Sequence, residues 1–331
     1  MYIKRNISAK IILFFSWKEL LAYTLLATIA LTAYTSGLTA IAIPFLPVAT
    51  IGTAVAFYVG FKNNASYERL WEARKIWAEI EHLSRFMAML ILADRAQGKI
   101  GEAERSLIYR QIAWVNTLCL QLRNTVMFHD ETAQKLDHVK LIQGGQKQWS
   151  PGHRDIMAIL ETFTSQEEAQ SLSAESNIAC RLLFNQLSAL AALRSQLPDS
   201  NYEKLLDIMA DLSQQQAAAE RINSFPFPRQ YAYFSSVFIN IFILLLPFSL
   251  LREMAQAGAS MVWLTVPFSV LISWIFFTME KVGETSENPF EGGLNDVPMS
   301  KICRDIEIEL KSLLQEKNLP QPITAVDSVL L

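Results

Sequence analysis

The sequence is short of the residues from which soluble enzymes build their sites. Only 18% of its 331 residues are charged, while 51% are apolar. That balance is unusual for a soluble chain long enough for two ordinary domains. The formal net charge of -3 implies no strongly basic face, so nucleic acid is not an expected partner. The three cysteines, Cys119, Cys180 and Cys303, stand far apart and form no CxxC. This speaks against a disulfide framework or a zinc knuckle and for free thiols. The four histidines, His82, His129, His138 and His153, lack ligand spacing. Glu79 and Glu81 point to different faces of one helix and cannot work as a pair. There is no GxSxG, Walker loop, GxGxxG or HExxH. No enzyme activity, cofactor or bound metal is expected.

Charge is also absent from whole stretches, and this fixes the class. No charged residue lies between Glu19 and Lys62, between Arg229 and Arg252, or between Glu253 and Glu280. A spanning helix needs about 20 mainly apolar residues. The last two stretches each fit one helix. The first is long enough for two, with Gly37, Pro44 and Pro47 as breakers. The spans are predicted at roughly 19–38, 44–62, 230–251 and 258–279. A cleaved signal peptide is the rival for the first, with Lys4, Arg5 and Lys10 as its basic region. Lys18 and Glu19 come late for that, and the apolar run continues straight into another span.

Loop charge sets the orientation. Lys4, Arg5, Lys10 and Lys18 precede span 1, the next turn has no charge, and Arg252 and Glu253 cancel in the turn after span 3. Positive short segments stay inside. The N-terminus, the middle domain and the C-terminal tail are therefore expected on the cytoplasmic side of the plasma (inner) membrane. The division is 1–62 with spans 1 and 2, 63–228 as a cytosolic helical domain, 229–280 with spans 3 and 4, and 281–331 as a turn, helix and tail. No charged residue lies inside a span, which counts against a proton-coupled transporter.

Residues 63–228 read as helical. Leu70, Trp71, Ile76, Trp77, Ile80, Leu83, Phe86, Met87 and Leu90 recur at helical spacing, as do Ile108, Ile112, Val115, Leu118 and Leu122. Further helices are predicted near 153–163, 174–196 and 201–222, the last with Asp199 or Ser200 as N-cap. Gly144-Gly145 and Ser150-Pro151-Gly152 mark a loop. The prolines of Asn223-Ser224-Phe225-Pro226-Phe227-Pro228 force extended backbone. A last amphipathic helix carries Ile302, Ile306, Leu310 and Leu313, and from Leu319 the tail reads as frayed. The fold class is an all-α membrane protein with four transmembrane helices and a large cytosolic helical domain.

In span 2, Thr53, Phe57 and Phe61 fall four apart and share one stripe, with Gly52 and Gly60 near it. One reading is helix packing, the glycines allowing close approach. The other is a pore-lining face whose rings form an apolar constriction.

The run from Gly60 to Trp77, with Asn63, Asn64, Tyr67, Arg69, Glu72 and Arg74, resembles the bestrophin family. So does Glu220-Arg221-Ile222 followed by Pro226, Pro228 and Tyr231. So does Asn288-Pro289-Phe290 followed by Asn295-Asp296-Val297-Pro298 and Ile302-Cys303. The resemblance covers nearly the whole chain and implies a homopentameric channel passing small monovalent ions. It places an apolar neck at Thr53, Phe57 and Phe61, and a cytosolic exit constriction near Asn201, Tyr202 and Glu203. Family necks are usually all apolar, so Thr53 departs from the pattern, its hydroxyl available to wet the outer end. The acidic run that binds calcium in animal members is missing after Phe290, and Glu291 with Asp296 makes a poor calcium site. The family default is a chloride-like anion. A monovalent-cation channel of the same architecture and a membrane-anchored scaffold without conduction stay open.

Overall fold

The computed structural model describes residues 1–2, 9–93, 100–124, 153–225, 227–293, 295–325 and 329–330. Pro226, His129, His138 and the loop signals at Gly144-Gly145 and Ser150-Pro151-Gly152 lie outside them. The described residues form ten α-helices: α1 (Ala9–Thr35), α2 (Phe45–Leu92), α3 (Glu102–Asn124), α4 (His153–Phe163), α5 (Gln166–Leu172), α6 (Ile178–Ala192), α7 (Asp199–Ser224), α8 (Arg229–Ala257), α9 (Thr265–Glu284) and α10 (Met299–Leu313). They contain no strand, only an isolated antiparallel bridge between Tyr2 and Val329. The all-α class is as the sequence implies.

Breakers act where the sequence puts them. Gly37 takes a φ of 102° beyond the end of α1. The Leu38 N–H then reaches Ala33 O at 3.2 Å and the Gly37 N–H reaches Tyr34 O at 3.1 Å. These two bonds close the helix as a Schellman cap. Pro47 sits in the first turn of α2, where its missing N–H costs nothing. Three helical stretches among the described residues, Thr39–Leu92, Arg229–Ala257 and Ala259–Glu284, are long and apolar enough to cross a bilayer. The first expected span lies largely on α1.

The helices divide into two compact units. One comprises Lys4–Glu68 and Phe227–Glu287, and the other Met1–Ile3, Arg69–Pro226 and Asn288–Leu331. These packing limits differ from the limits read from charge because α2 runs unbroken from Phe45 to Leu92. Helix geometry does not change where the charged residues begin.

In the first unit, α2 buries Val48, Val55 and Val59 against Ile239, Phe242, Ile243, Leu246 and Leu250 of α8. In the second, the core gathers Trp77, Ile80, Met87, Ile108, Ile112, Trp114, Leu118, Leu160, Leu182, Leu212, Phe290 and Ile306 among others. Two pairs of its buried polar side chains bond to one another. Trp114 Nε1 donates to Gln216 at 2.9 Å, and Gln111 donates to Ser84 Oγ at 2.8 Å.

Three local expectations are corrected. Pro198, not Asp199 or Ser200, occupies the N-cap position of α7, and no side chain caps it. The predicted helix at 174–196 is shorter, α6 running from Ile178, capped by Asn177, to Ala192, and α5, capped by Ser165 accepting from the Glu168 N–H, is a separate helix that ends at Leu172. Within the tail expected to fray, Val329 and Leu330 are buried, and the Leu330 N–H reaches Met1 O at 2.8 Å.

Candidate functional site

On a helix, residues four apart turn back to nearly the same face. The segment of α2 from Val48 to Lys62 shows two such faces. Val48, Gly52, Val55, Val59 and Lys62 are buried, while Thr53, Phe57 and Phe61 are exposed. Phe57 and Phe61 are 65% and 67% exposed, so neither ring belongs to the core of its own unit. The two glycines part company. A Cβ at Gly52 would meet the ring of Phe242 at 2.6 Å, whereas one at Gly60 would meet nothing within 4 Å. Gly52 therefore serves helix packing on the buried face, and the stripe stands free of it. Thr53 Oγ1 donates to Ala49 O at 3.0 Å.

Lys62 follows Phe61 and is buried on the opposite face. Its Nζ donates to Glu280 Oε1 at 2.8 Å and lies 3.3 Å from Glu287 Oε1. Ser235 Oγ donates to the other Glu280 oxygen at 2.6 Å. Beside this cluster the Asn63 amide donates to Met279 O at 2.9 Å, and its oxygen lies against Gly283, where a Cβ would come within 2.1 Å. The sequence reading missed this cluster. Each charge marks the edge of an apolar run and reads there as a topology signal. The only hint of pairing was that such residues would come together if the spans bundle.

The remaining motif residues act locally. Asn64 donates to Glu68 at 2.9 Å, and Tyr67 is exposed. The Arg69 guanidinium donates to Phe225 O at 2.6 Å and to Ile222 O, covering the end of α7. Glu72 pairs with Arg221 at 2.6 Å on the surface. Arg74 is half-buried. Pro228 holds the N-cap position of α8. In the tail motif, Asn288 donates to Glu291 at 2.9 Å, Pro289 O accepts the Val297 N–H at 3.0 Å, and Phe290 is buried. Asn295 lies in the turn before Asp296, and Asp296 is buried, accepting the Gly293 N–H at 2.7 Å. Burial pushes the Asp296 carboxyl up to about 7, with Glu291 adding to the effect against the opposing backbone N–H groups.

Asn201, Tyr202 and Glu203 lie in the first two turns of α7, which begins at Asp199. Tyr202 packs on the core with the Arg194 guanidinium 5.5 Å over its ring, and Glu203 is exposed. His82 is exposed and stacks on Phe86.

The model of the family described as Bacterial/Fungal Bestrophin protein matches residues 5–312. The chain belongs to the bestrophin family. Among its relatives is the voltage-dependent anion channel-forming protein YneE of Escherichia coli (strain K12), 29% identical over 282 residues, which span 84% of this chain and 79% of that one. Another is the voltage-dependent anion channel-forming protein mll4386 of Mesorhizobium japonicum, 27% identical over 82% of this chain and 75% of that one. The crystal structure of a bacterial bestrophin homolog from Klebsiella pneumoniae superposes with a TM-score of 0.74, covering 90% of this chain and 98% of that one at 24% identity. That likeness establishes the bestrophin fold.

Proposed function

We propose that this bestrophin is a homopentameric channel of the plasma (inner) membrane. It passively conducts small monovalent anions and catalyses no reaction. Four spans place both termini and the helical domain in the cytoplasm. The neck is formed by Thr53, Phe57 and Phe61 of α2, and a second constriction lies near Asn201, Tyr202 and Glu203.

One observation carries the reading. Thr53, Phe57 and Phe61 leave their unit's core and stand exposed along one face, while the opposite face packs on α8. A single copy cannot enclose a pore with one such stripe, but several copies around an axis can. Rings facing one another across a narrow axis exclude water, and an ion losing its hydration shell meets a high barrier. Anion conduction is supported by the names of the relatives, since an uncharged neck does not itself select a sign.

Purified protein in planar bilayers should carry current, with reversal potentials in asymmetric chloride salt following the chloride gradient. Reversal at the cation potential would replace the anion reading by a monovalent-cation channel. Absence of current would leave a membrane-anchored scaffold. Native mass measurement should give a pentamer, and a stable monomer or dimer would overturn the assembly. Activity should not require micromolar calcium, because the acidic run after Phe290 is absent.

A further inference from the structure

The exposed stripe of α2 does not end at Phe61. A helical turn takes about 3.6 residues, so Asn64 lies about two turns and Glu68 about three turns beyond Phe57, on the same side. Both are exposed, and both belong with Thr53, Phe57 and Phe61 to the first unit. The opposite face stays buried here through Lys62 and Ser66.

Charge on this part of α2 is sparse. From Phe45 to Glu68 the charged residues are Lys62 and Glu68. Lys62 is 1% exposed, and its ammonium is bonded to Glu280 at 2.8 Å, away from the stripe. Glu68 is therefore the first exposed charge along the stripe. Its carboxylate accepts the Asn64 amide at 2.9 Å. A neutral amide orients the carboxylate and leaves its negative charge in place. The next residue, Arg69, turns its guanidinium to the carbonyls of Ile222 and Phe225.

We propose that Glu68 is a specificity-determining residue of the conduction path, its carboxylate depleting anions at the cytoplasmic mouth of the neck. The idea rests on the reading of α2 as the neck of an assembly of copies. At 1.5 Å of rise per residue, Glu68 lies about 10 Å beyond Phe61 along the helix. Repeated in each copy around the axis, it surrounds that mouth with one sign of charge, which repels anions and gathers cations.

A fixed charge at one mouth acts mainly on ions entering there. Anions leaving the cytoplasm start from a depleted layer, whereas anions arriving from outside do not. Positive current therefore leaves the cytoplasm more readily than it enters. A cation path gives the same sense, because cations leaving the cytoplasm start from an enriched layer. The direction of easy flow thus reports the charge at the mouth, and the reversal potential separately reports the sign of the permeant ion. The field of the carboxylates reaches about 10 Å in 0.1 M salt and about 3 Å in 1 M.

Currents in excised patches, whose cytoplasmic face is known, test this in symmetric salt at about 0.1 M and about 1 M. At the lower salt, wild-type current should be larger outward than inward, and the higher salt should abolish the inequality. Glu68→Gln keeps an acceptor for Asn64 and should lose the inequality at both. Glu68→Lys should reverse it. Asn64→Ala removes the hydrogen bond, keeps the charge and should retain it. Equal wild-type currents in the two directions at the lower salt, an inequality of the opposite sense, or one that persists at the higher salt overturns the proposal even if no variant assembles. So does a Glu68→Gln channel that keeps the wild-type inequality, or an Asn64→Ala channel that loses it. A wild type silent in both salts removes the channel reading and the proposal with it. Reversal at the cation potential overturns the anion reading alone, and the direction of easy flow still decides on Glu68.

Discussion

Gly52 faces the ring of Phe242 so closely that a Cβ at position 52 would sit 2.6 Å from Cε2. The ring is not free to move, because Phe276 packs against it with ring centroids 4.5 Å apart. Gly52→Ala should therefore destabilise the protein by about 1–3 kcal/mol through overpacking. Gly60→Ala, with open space at its Cβ, should be neutral or stabilising by up to about 1 kcal/mol from helix propensity. Thermal unfolding in detergent checks both, and equal losses at the two positions would contradict the packing argument.

Phe57→Ala should raise single-channel conductance with little change in melting temperature. Burying and then deleting a phenylalanine costs about 3–5 kcal/mol, but Phe57 is 65% exposed and leaves no such cavity in its own unit. Current and melting are to be measured on the same preparation. Unchanged conductance together with a clear loss of stability would move Phe57 from the neck to a packed interface.

Arg69 closes the end of α7 by donating to Ile222 O and Phe225 O. Arg69→Ala should cost about 1.5–3 kcal/mol, the range for hydrogen bonds to charged groups. Arg69→Lys should recover only part of it, since an ammonium lacks the forked geometry. Limited proteolysis near Phe225 should quicken in step with the loss. Full rescue by lysine would show that charge rather than geometry matters.

Burial holds the Asp296 carboxyl at about 7 against its ordinary 3.8. Its contribution to stability is then complete below 3.8 and is lost as pH rises through about 7. Asp296→Asn, whose amide oxygen can still accept the Gly293 N–H, should remove this dependence. The melting temperature of the wild type relative to Asp296→Asn should fall between acid and mildly alkaline buffer. A constant difference would place the proton elsewhere.

Much of the fold was legible because membrane helices announce themselves by missing charge. The core face of α3 was also read correctly, with Ile108, Ile112, Val115, Leu118 and Leu122 all buried. On α2 the same periodicity over-reached: Trp71 and Phe86 match the helical spacing yet are 47% and 37% exposed. Spacing gives the direction of a stripe, and only the neighbours decide how wide the buried part is. The Lys62 cluster was illegible for another reason. Its partners are separated from it by 218 residues or more, and nothing in local spacing encodes such a meeting.

The hydroxyl of Thr53 is turned along its own helix to Ala49 O. With its proton committed to the helix, the hydroxyl keeps its lone pairs and can still accept a hydrogen bond from a passing water. In the proposed neck, a ring of such acceptors at position 53 would hold water where valine, the same in shape, would not. The outer end of the pore then dries less readily than the rings of Phe57 and Phe61 below it.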